Sequence, residues 1–381
     1  MVETPRPLTL RQGRSRVRLL VALVIGVVVP LAGTGPATAA PEPHELTLMT
    51  QNLYQGTELE HVLAAQTPEQ FAAGVATDYA NVIATNFKER ADALAAEIVR
   101  AGPALVGLQE VALWRTQLPF DPTGAPQTVA FDFLQILLDA LAARGVTYIT
   151  AIARDNFDVS GPGLFPFGLM GVRLTERTAI IARTDPRAPL KLSHPQQGGF
   201  QHVSVLPTLN GPFPLGGGWL SVDATAGGRT FRFITTHLDG FSPAVAGAQT
   251  GELLAGPAAT DHPVLIAGDF NSVTTDPAYG DLVAAGFTDV WAARNDQRPG
   301  LTCCQVPPDS IVNPVSQLST RIDYIFTSGR SAPRDVHVVG DNPSARTASG
   351  LWPSDHAGLV ATLELDKQRP PDERGAASPG G

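Results

Sequence analysis

Val264-Leu265-Ile266-Ala267-Gly268-Asp269-Phe270-Asn271-Ser272 sets an apolar run directly against a carboxylate and an amide two positions apart. The first four residues read as a short buried strand, Gly268 as a residue permitting a tight turn, and Asp269 and Asn271 as side chains sharing one face at strand spacing. A second run, Pro353-Ser354-Asp355-His356, places a carboxylate beside an imidazole just before another strand-like segment, residues 358–365. Together they offer hard-cation and acid–base chemistry at strand mouths.

Alone, Gly-Asp-Phe-Asn also suits a turn in which Asp and Asn satisfy local backbone groups. The rest of the chain argues otherwise. Arg229-Thr230-Phe231-Arg232-Phe233-Ile234-Thr235-Thr236-His237 alternates like a half-buried strand and ends in histidine. Leu105-Val106-Gly107-Leu108-Gln109-Glu110-Val111 is a short apolar run interrupted by a single glutamate near its end, and Glu45-Leu46-Thr47-Leu48-Met49-Thr50-Gln51-Asn52-Leu53 alternates up to an asparagine near its end. Arg321-Ile322-Asp323-Tyr324-Ile325-Phe326 carries one aspartate in a strand-like segment. A carboxylate in an apolar strand is costly to desolvate unless paired or bound to a cation. Repetition at several strand ends is a pattern, not a chance turn.

In this order the motifs resemble the endonuclease/exonuclease/phosphatase superfamily, which includes deoxyribonucleases, abasic-site endonucleases, sphingomyelinases and inositol-polyphosphate phosphatases. The resemblance covers roughly residues 45–365. It implies a four-layer α/β sandwich, with two mixed β-sheets face to face and helices outside. It also implies phosphate-ester hydrolysis assisted by a divalent cation, Mg2+ with Mn2+ or Ca2+ as substitutes. By this resemblance Glu110 and Asp355 sit at the metal with Asn52 contacting metal or phosphate, Asp269 aligns or deprotonates the attacking water, and Asn271 holds that water or a phosphate oxygen. His237 and His356 stabilise developing charge, and Asp323 orients His356. Arg177 is a weaker candidate for phosphate contact, since an arginine at a strand start is as often a surface residue. The alternative is a binding module that keeps the fold without catalysis; every motif position nonetheless carries a competent residue type.

Between the strands, residues 79–101 place Ile83, Phe87, Ala91, Leu94 and Ile98 at three-and-four spacing before Gly102, which predicts one helix. Residues 131–144 and 277–285 predict two more. Segment 156–173 is apolar, aromatic and turn-rich and reads as a loop beside the site, with side chains suited to an apolar substrate or a transient membrane-surface contact, while 198–218 is rich in Gly and Pro and reads as a loop or hairpin. The remaining histidines carry no motif and read as surface or structural. The only cysteines, Cys303 and Cys304, are adjacent. In an oxidising compartment they have three fates, a vicinal disulfide, an interchain pair or free thiols; the vicinal disulfide is the expectation.

Residues 1–18 hold five arginines and one glutamate, 19–31 are apolar, and Ala37-Thr38-Ala39 supplies small residues ahead of a cleavage point. This reads as a secretory signal peptide over 1–39, its apolar run being short for a membrane span. Residues 40–365 then form one domain, and the aperiodic, charged and Pro/Gly-rich segment 366–381 reads as a disordered tail. The full chain carries 27 basic and 36 acidic residues; without the leader's five and one these become 22 and 35, a net of −13. That balance disfavours long polyanions, whose nonspecific binding depends on lysine and arginine. Nucleic acid, phospholipid and small phosphoesters all stay open as substrates, with acidity weighing against the first.

N-terminal sequencing of exported protein is expected to begin at Ala40 or Pro41. Recovery of the intact chain from Met1 in a membrane fraction would instead identify the apolar run as an anchor.

Overall fold

Alternation along the strands decides which side chains meet. In His44–Asn52, Leu46 and Leu48 face one way and Met49 the other, and each set joins a different core. The computed structural model describes residues 44–184, 190–295, 298–305, 310–329 and 332–365. The expected leader and tail lie outside them.

One sheet has eight strands. Its path runs Ala332–Val339, Gly358–Leu365, His44–Asn52, Leu105–Gln109, Gly168–Arg183, Leu113–Gln117, Thr128–Asp132, with Tyr148–Phe165 also paired to Gly168–Arg183. The other has six: Thr288–Asp289, Asp323–Thr327, Val264–Asp269, Arg229–His237, Gly218–Ala226, Lys191–Gly199. Both are mixed, since His44–Asn52 runs parallel to Leu105–Gln109 but antiparallel to Gly358–Leu365, and Arg229–His237 runs parallel to Val264–Asp269. Leu46, Leu48, Leu105 and Ile180 of the first sheet meet Leu220, Phe231, Phe233, Leu265 and Ile325 of the second in a central apolar layer. Helices Pro68–Ala84, Phe87–Ala101 and Phe133–Ala143 cover the outer face of the first sheet, against Met49, Val106 and Leu108. Helices Pro243–Ala255 and Pro277–Ala284 cover the second, against Ile234, Val264, Ile266 and Phe326. The chain is thus a four-layer α/β sandwich.

Three local expectations need correction. The single helix predicted over 79–101 is two, because Asn86 adopts a left-handed conformation at φ 39° between them. Phe87, Ala91, Leu94 and Ile98 stay buried, but Ile83 is left 55% exposed. Segment 156–173 is not a loop: it belongs to a long hairpin, Tyr148–Phe165 with Gly168–Arg183, whose tip exposes Leu164, Phe167 and Leu169. Gly268 is not a turn residue either. It lies inside its strand, opposite Tyr324, where a side chain would strike the Thr236 carbonyl oxygen. Segment 198–218 does contain the expected hairpin, formed by Val205–Thr208 and Gly211–Pro214.

The two sheets approach closely under their polar end. A Cβ on Gly107 would stand 2.8 Å from the Thr235 Cβ across the layer, and closer still to its hydroxyl. Alongside, the Thr50 hydroxyl donates to Gln109 Oε1 at 3.2 Å and Gln109 Nε2 donates to the Thr235 hydroxyl at 3.0 Å, so a chain of buried hydrogen bonds joins the sheets. Gly107→Ala is expected to lower stability by about 1–3 kcal/mol through overpacking. A denaturant midpoint unchanged from the parent would show that the sheets are not so closely apposed.

Candidate active site

His237, Asp269 and Asp323 are side-by-side neighbours on three adjacent strands. His237 pairs in register with Asp269, and Asp269 with Asp323. Their parity is that of Phe233, Ala267 and Ile325, so all three face the layer between the sheets and end it with polar groups. From the opposite sheet, Asn52 closes its strand on the same face as Leu46 and Leu48. Glu110 lies one residue beyond Leu105–Gln109, in a left-handed turn at φ 53°. Such a φ is uncommon for a residue bearing a Cβ. Here Val111 N–H donates to the Arg177 carbonyl at 2.9 Å, and the Arg177 Nε donates back to the Val111 carbonyl at 2.8 Å, clamping the turn.

Asn52 crosses the gap. Its Nδ2 donates to Glu110 Oε1 at 2.9 Å and to Asp269 Oδ2 at 3.1 Å, while its Oδ1 accepts the Tyr54 N–H at 2.9 Å. The other Glu110 oxygen accepts the Gln55 N–H at 2.8 Å. Asp269 Oδ1 accepts the Asn271 N–H at 2.9 Å, and Asn271, at φ 46°, donates its amide to the Leu238 carbonyl at 3.0 Å. His237 Nε2 and His356 Nε2 approach Asp269 Oδ2 at 3.6 and 3.8 Å. His356 Nδ1 meets Asp323 Oδ2 at 2.9 Å, with both side chains buried.

Charge decides the protonation of the pair. Burial alone would depress His356, but Asp323, Asp355 and Asp269 outweigh it and hold the ring well above its usual range. Burial also lifts Asp323 toward its neutral form, against the pull of His356. These tendencies compete for one proton. We place it on the imidazole, because a proton on Asp323 would leave Asp269 and Asp355 facing a neutral ring. His237 behaves alike: burial lowers it, while Asp269, Glu176 and Glu110 more than compensate, so it too is raised.

Glu110, Asp355 and Glu58 form an acidic group facing the same cleft. Burial, and then Glu110, lift Asp355 to about 6 despite His356 and Arg90. Glu58 is raised as well, by the protein wall around it and then by Asp355, Glu110 and Glu60. Its side chain remains open to solvent on one side, which screens part of that repulsion. Mutually repelling oxygen donors of this kind fit a hard divalent cation. Asp269, Asp323 and His356 also bring ligand-type atoms within 4.8 Å of one another. There, however, the His356–Asp323 contact already occupies Nδ1, and the cluster is one of proton-bearing groups.

Of the residues singled out in the sequence, Asn52, Glu110, His237, Asp269, Asn271, Asp323, Asp355 and His356 converge here. Asn52 bridges two carboxylates instead of presenting a free oxygen to a cation. Arg177 does not reach the cleft. It lies in mid-strand, not at a strand start, and its guanidinium is spent on the Val111 and Ala112 carbonyls and on Asp132 at 2.6 Å. Cys303 is bonded to Cys304, whose Sγ lies 3.7 Å from His356 Nε2.

Sequence reading missed three residues. Glu58 gave no signal, being one acid in an irregular segment. Glu176, buried next to the misassigned Arg177, interacts electrostatically with His237 and accepts the Asn156 amide at 2.7 Å. Arg90 is wholly buried, donating to the carbonyls of Leu53, Tyr54, Thr85 and Pro353. A cation at i+3 on the Phe87–Ala91–Leu94 stripe was the available clue.

The model of the Endonuclease/Exonuclease/phosphatase family matches residues 49–356. No curated protein matches the sequence. Among solved structures, an endonuclease/exonuclease/phosphatase family protein from Bacteroides thetaiotaomicron is 18% identical, with 86% of this chain and 100% of that one covered at a TM-score of 0.55. A mannosyl-6-phosphatase from the same organism is 18% identical, covering 84% and 100% at 0.52. Humanized D. rerio TDP2 is 17% identical, covering 84% and 99% at 0.51. These are likenesses of fold.

Asp355 generates a pH test. Its carboxyl sits near 6 in the fold, against about 3.9 in an unfolded chain. Raised in this way, it opposes folding above pH 6, and the penalty is relieved as pH falls toward about 4. A cation among Glu110, Asp355 and Glu58 offsets the repulsion and competes with the proton. Magnesium is therefore expected to raise Tm at pH 7.5 and to lose that effect as pH falls through about 6. Asp355→Asn should stabilise the metal-free protein at pH 7.5 and shrink the magnesium shift. An equal shift at pH 7.5 and 5 would count against a cation at this carboxylate.

Proposed function

The chain belongs to the endonuclease/exonuclease/phosphatase family, and from that premise we propose that it is a divalent-metal-dependent hydrolase of phosphate esters, acting after export. The observation that carries this reading is the meeting, across the two sheet ends, of an acidic group with two imidazoles around Asp269. Export rests on the basic, apolar and Ala-x-Ala succession of residues 1–39.

Glu110 and Asp355, with Glu58 beside them, would hold the cation, Mg2+ being the fitting choice for oxygen donors. When bound it supplies charge stabilisation at phosphate oxygens and orients the ester. The remaining roles belong to the chain. Asp269 accepts the proton of the attacking water, and its orientation is held by the Asn52 amide and the Asn271 N–H. His237 and His356 present Nε2 toward the same point, where each donates to oxygens gaining charge in the transition state. Asp323 keeps Nδ1 of His356 protonated and so fixes the ring. Asn52 acts as the strut between Glu110 and Asp269.

Hydrolysis of bis(4-nitrophenyl) phosphate by the protein from residue 40 onward is the test. Turnover should require a divalent cation, and Glu110→Gln should raise the metal concentration needed. His356→Ala and Asp323→Asn should each cost on the order of 10²-fold or more. The double variant should be little worse than His356→Ala, because groups acting as a unit are not additive. Multiplicative losses would separate Asp323 from His356. Full activity in chelator would refute the metal.

A further inference from the structure

The cleft that ends on Glu110, Asp269 and His356 has a volume of about 710 Å³, and only one end of it holds the phosphate-directed groups. Away from them its apolar lining is Leu59, Val62, Phe71, Val75, Phe157 and Phe213, with Asp78 behind Val62, whose N–H it accepts at 3.1 Å. Three separate parts of the fold supply them: the segment around helices Glu60–Leu63 and Pro68–Ala84, the long hairpin, and the ribbon Val205–Thr208 with Gly211–Pro214. Phe157 of the hairpin and Phe213 of the ribbon pack edge to face, ring centroids 6.0 Å apart. The hairpin comes close enough to the helix that a Cβ on Gly161 would stand 2.6 Å from the Phe71 ring.

The electrostatics are one-sided. Among the described residues lining the cleft there is no lysine or arginine, while seven are acidic. The charges available to receive an anion are the two imidazoles and a bound cation, all at the catalytic end. A polyanion would lay every further phosphate against carboxylates or apolar side chains, with no cation to replace its counterions. An apolar group attached to a single phosphate meets no such cost and gains by leaving water.

We infer that the site takes a phosphoester whose esterified group is a long apolar chain, with the chain lying in the trough between Phe71, Val75, Phe157 and Phe213. This rests on the proposed function, which supplies the phosphate end. Each methylene withdrawn from water is worth roughly a fourfold gain, so preference should climb with chain length until the trough is filled.

The experiment compares methyl, butyl and octyl 4-nitrophenyl phosphodiesters below their micelle concentrations, with saturating magnesium and plasmid DNA as a competitor. kcat/KM is expected to rise at least tenfold from butyl to octyl, and DNA should neither be cut nor compete. Val62→Ser and Phe213→Ser, with folding checked by circular dichroism, should flatten the octyl-to-butyl ratio. In parallel, calorimetry with methylphosphonate and octylphosphonate, whose carbon–phosphorus bonds are not cleaved, reads the trough without catalysis. Octylphosphonate binding at least tenfold tighter, with no ester turned over, would sustain the trough and remove the proposed function. Chain-length independence in both assays, or DNA cut more efficiently than the octyl ester, would overturn the inference and leave phosphoester hydrolysis standing.

Discussion

The amide of Asn52 is the point on which the two halves of the site depend. It is the last inward-facing residue of its strand, and its two N–H groups are divided between Glu110 of one sheet and Asp269 of the other. Two carboxylates on opposing sheets would otherwise repel one another across a poorly hydrated gap. An amide can serve both because its oxygen is already anchored by the Tyr54 N–H, which fixes its orientation. The span is set from below by Gly107, which lets the sheets close on Thr235, and by the Thr50–Gln109–Thr235 hydrogen bonds. Spacing of the two carboxylates is therefore a property of sheet packing.

Behind this bridge lies a buried cation. Arg90 sits among Phe87, Tyr54 and Phe133, and its guanidinium ties the end of the Asn52 strand to Pro353, two residues before Asp355. Burial lowers its pKa to about 10, which leaves it charged, and its nearest acidic influences beyond Tyr54 are Asp355 and Glu110. A desolvated charge of this kind is tolerable only when its donors are satisfied, and here four backbone carbonyls satisfy them. The acidic end of the cleft thus has a fixed positive charge on its inner side. Its outer side is where a soluble cation has access.

Much of this was legible in the sequence, and the reasons are specific. Alternation in 46–52 and 229–237 fixed which side chains face inward, and a polar residue at the end of such a series must lie at the end of the intersheet layer. Asn52 and His237 are legible as strand-end groups on that ground, whereas Asp269 is legible from the apolar run before it and Asp323 only as a carboxylate inside a strand-like segment. What local pattern lacks is information about turns and about partners distant in sequence. Glu110 and Asn271 are left-handed residues with partners distant in sequence, Asn52 and Gln55 for the first and Leu238 for the second. Asn86 is instead held locally, its N–H donating to the Ile83 carbonyl and its amide to Glu89, a turn that apolar periodicity does not report. Arg177 and Glu176 are adjacent in one strand and face opposite ways. Choosing between them required knowing which sheet face meets His237.

The same reasoning explains how one cleft joins two chemistries. Strand ends converge on the polar edge of an apolar layer, so the groups that handle charge begin where the core stops. The long hairpin and the helix Pro68–Ala84 then extend apolar surface past that edge, with Val75 and Tyr79 among the helix residues that contribute to it. Negative charge and apolar surface in one groove exclude ligands for different reasons, the first by repulsion and the second by leaving polar groups without partners. A ligand that satisfies both conditions carries its single charge at one end and nothing polar behind it.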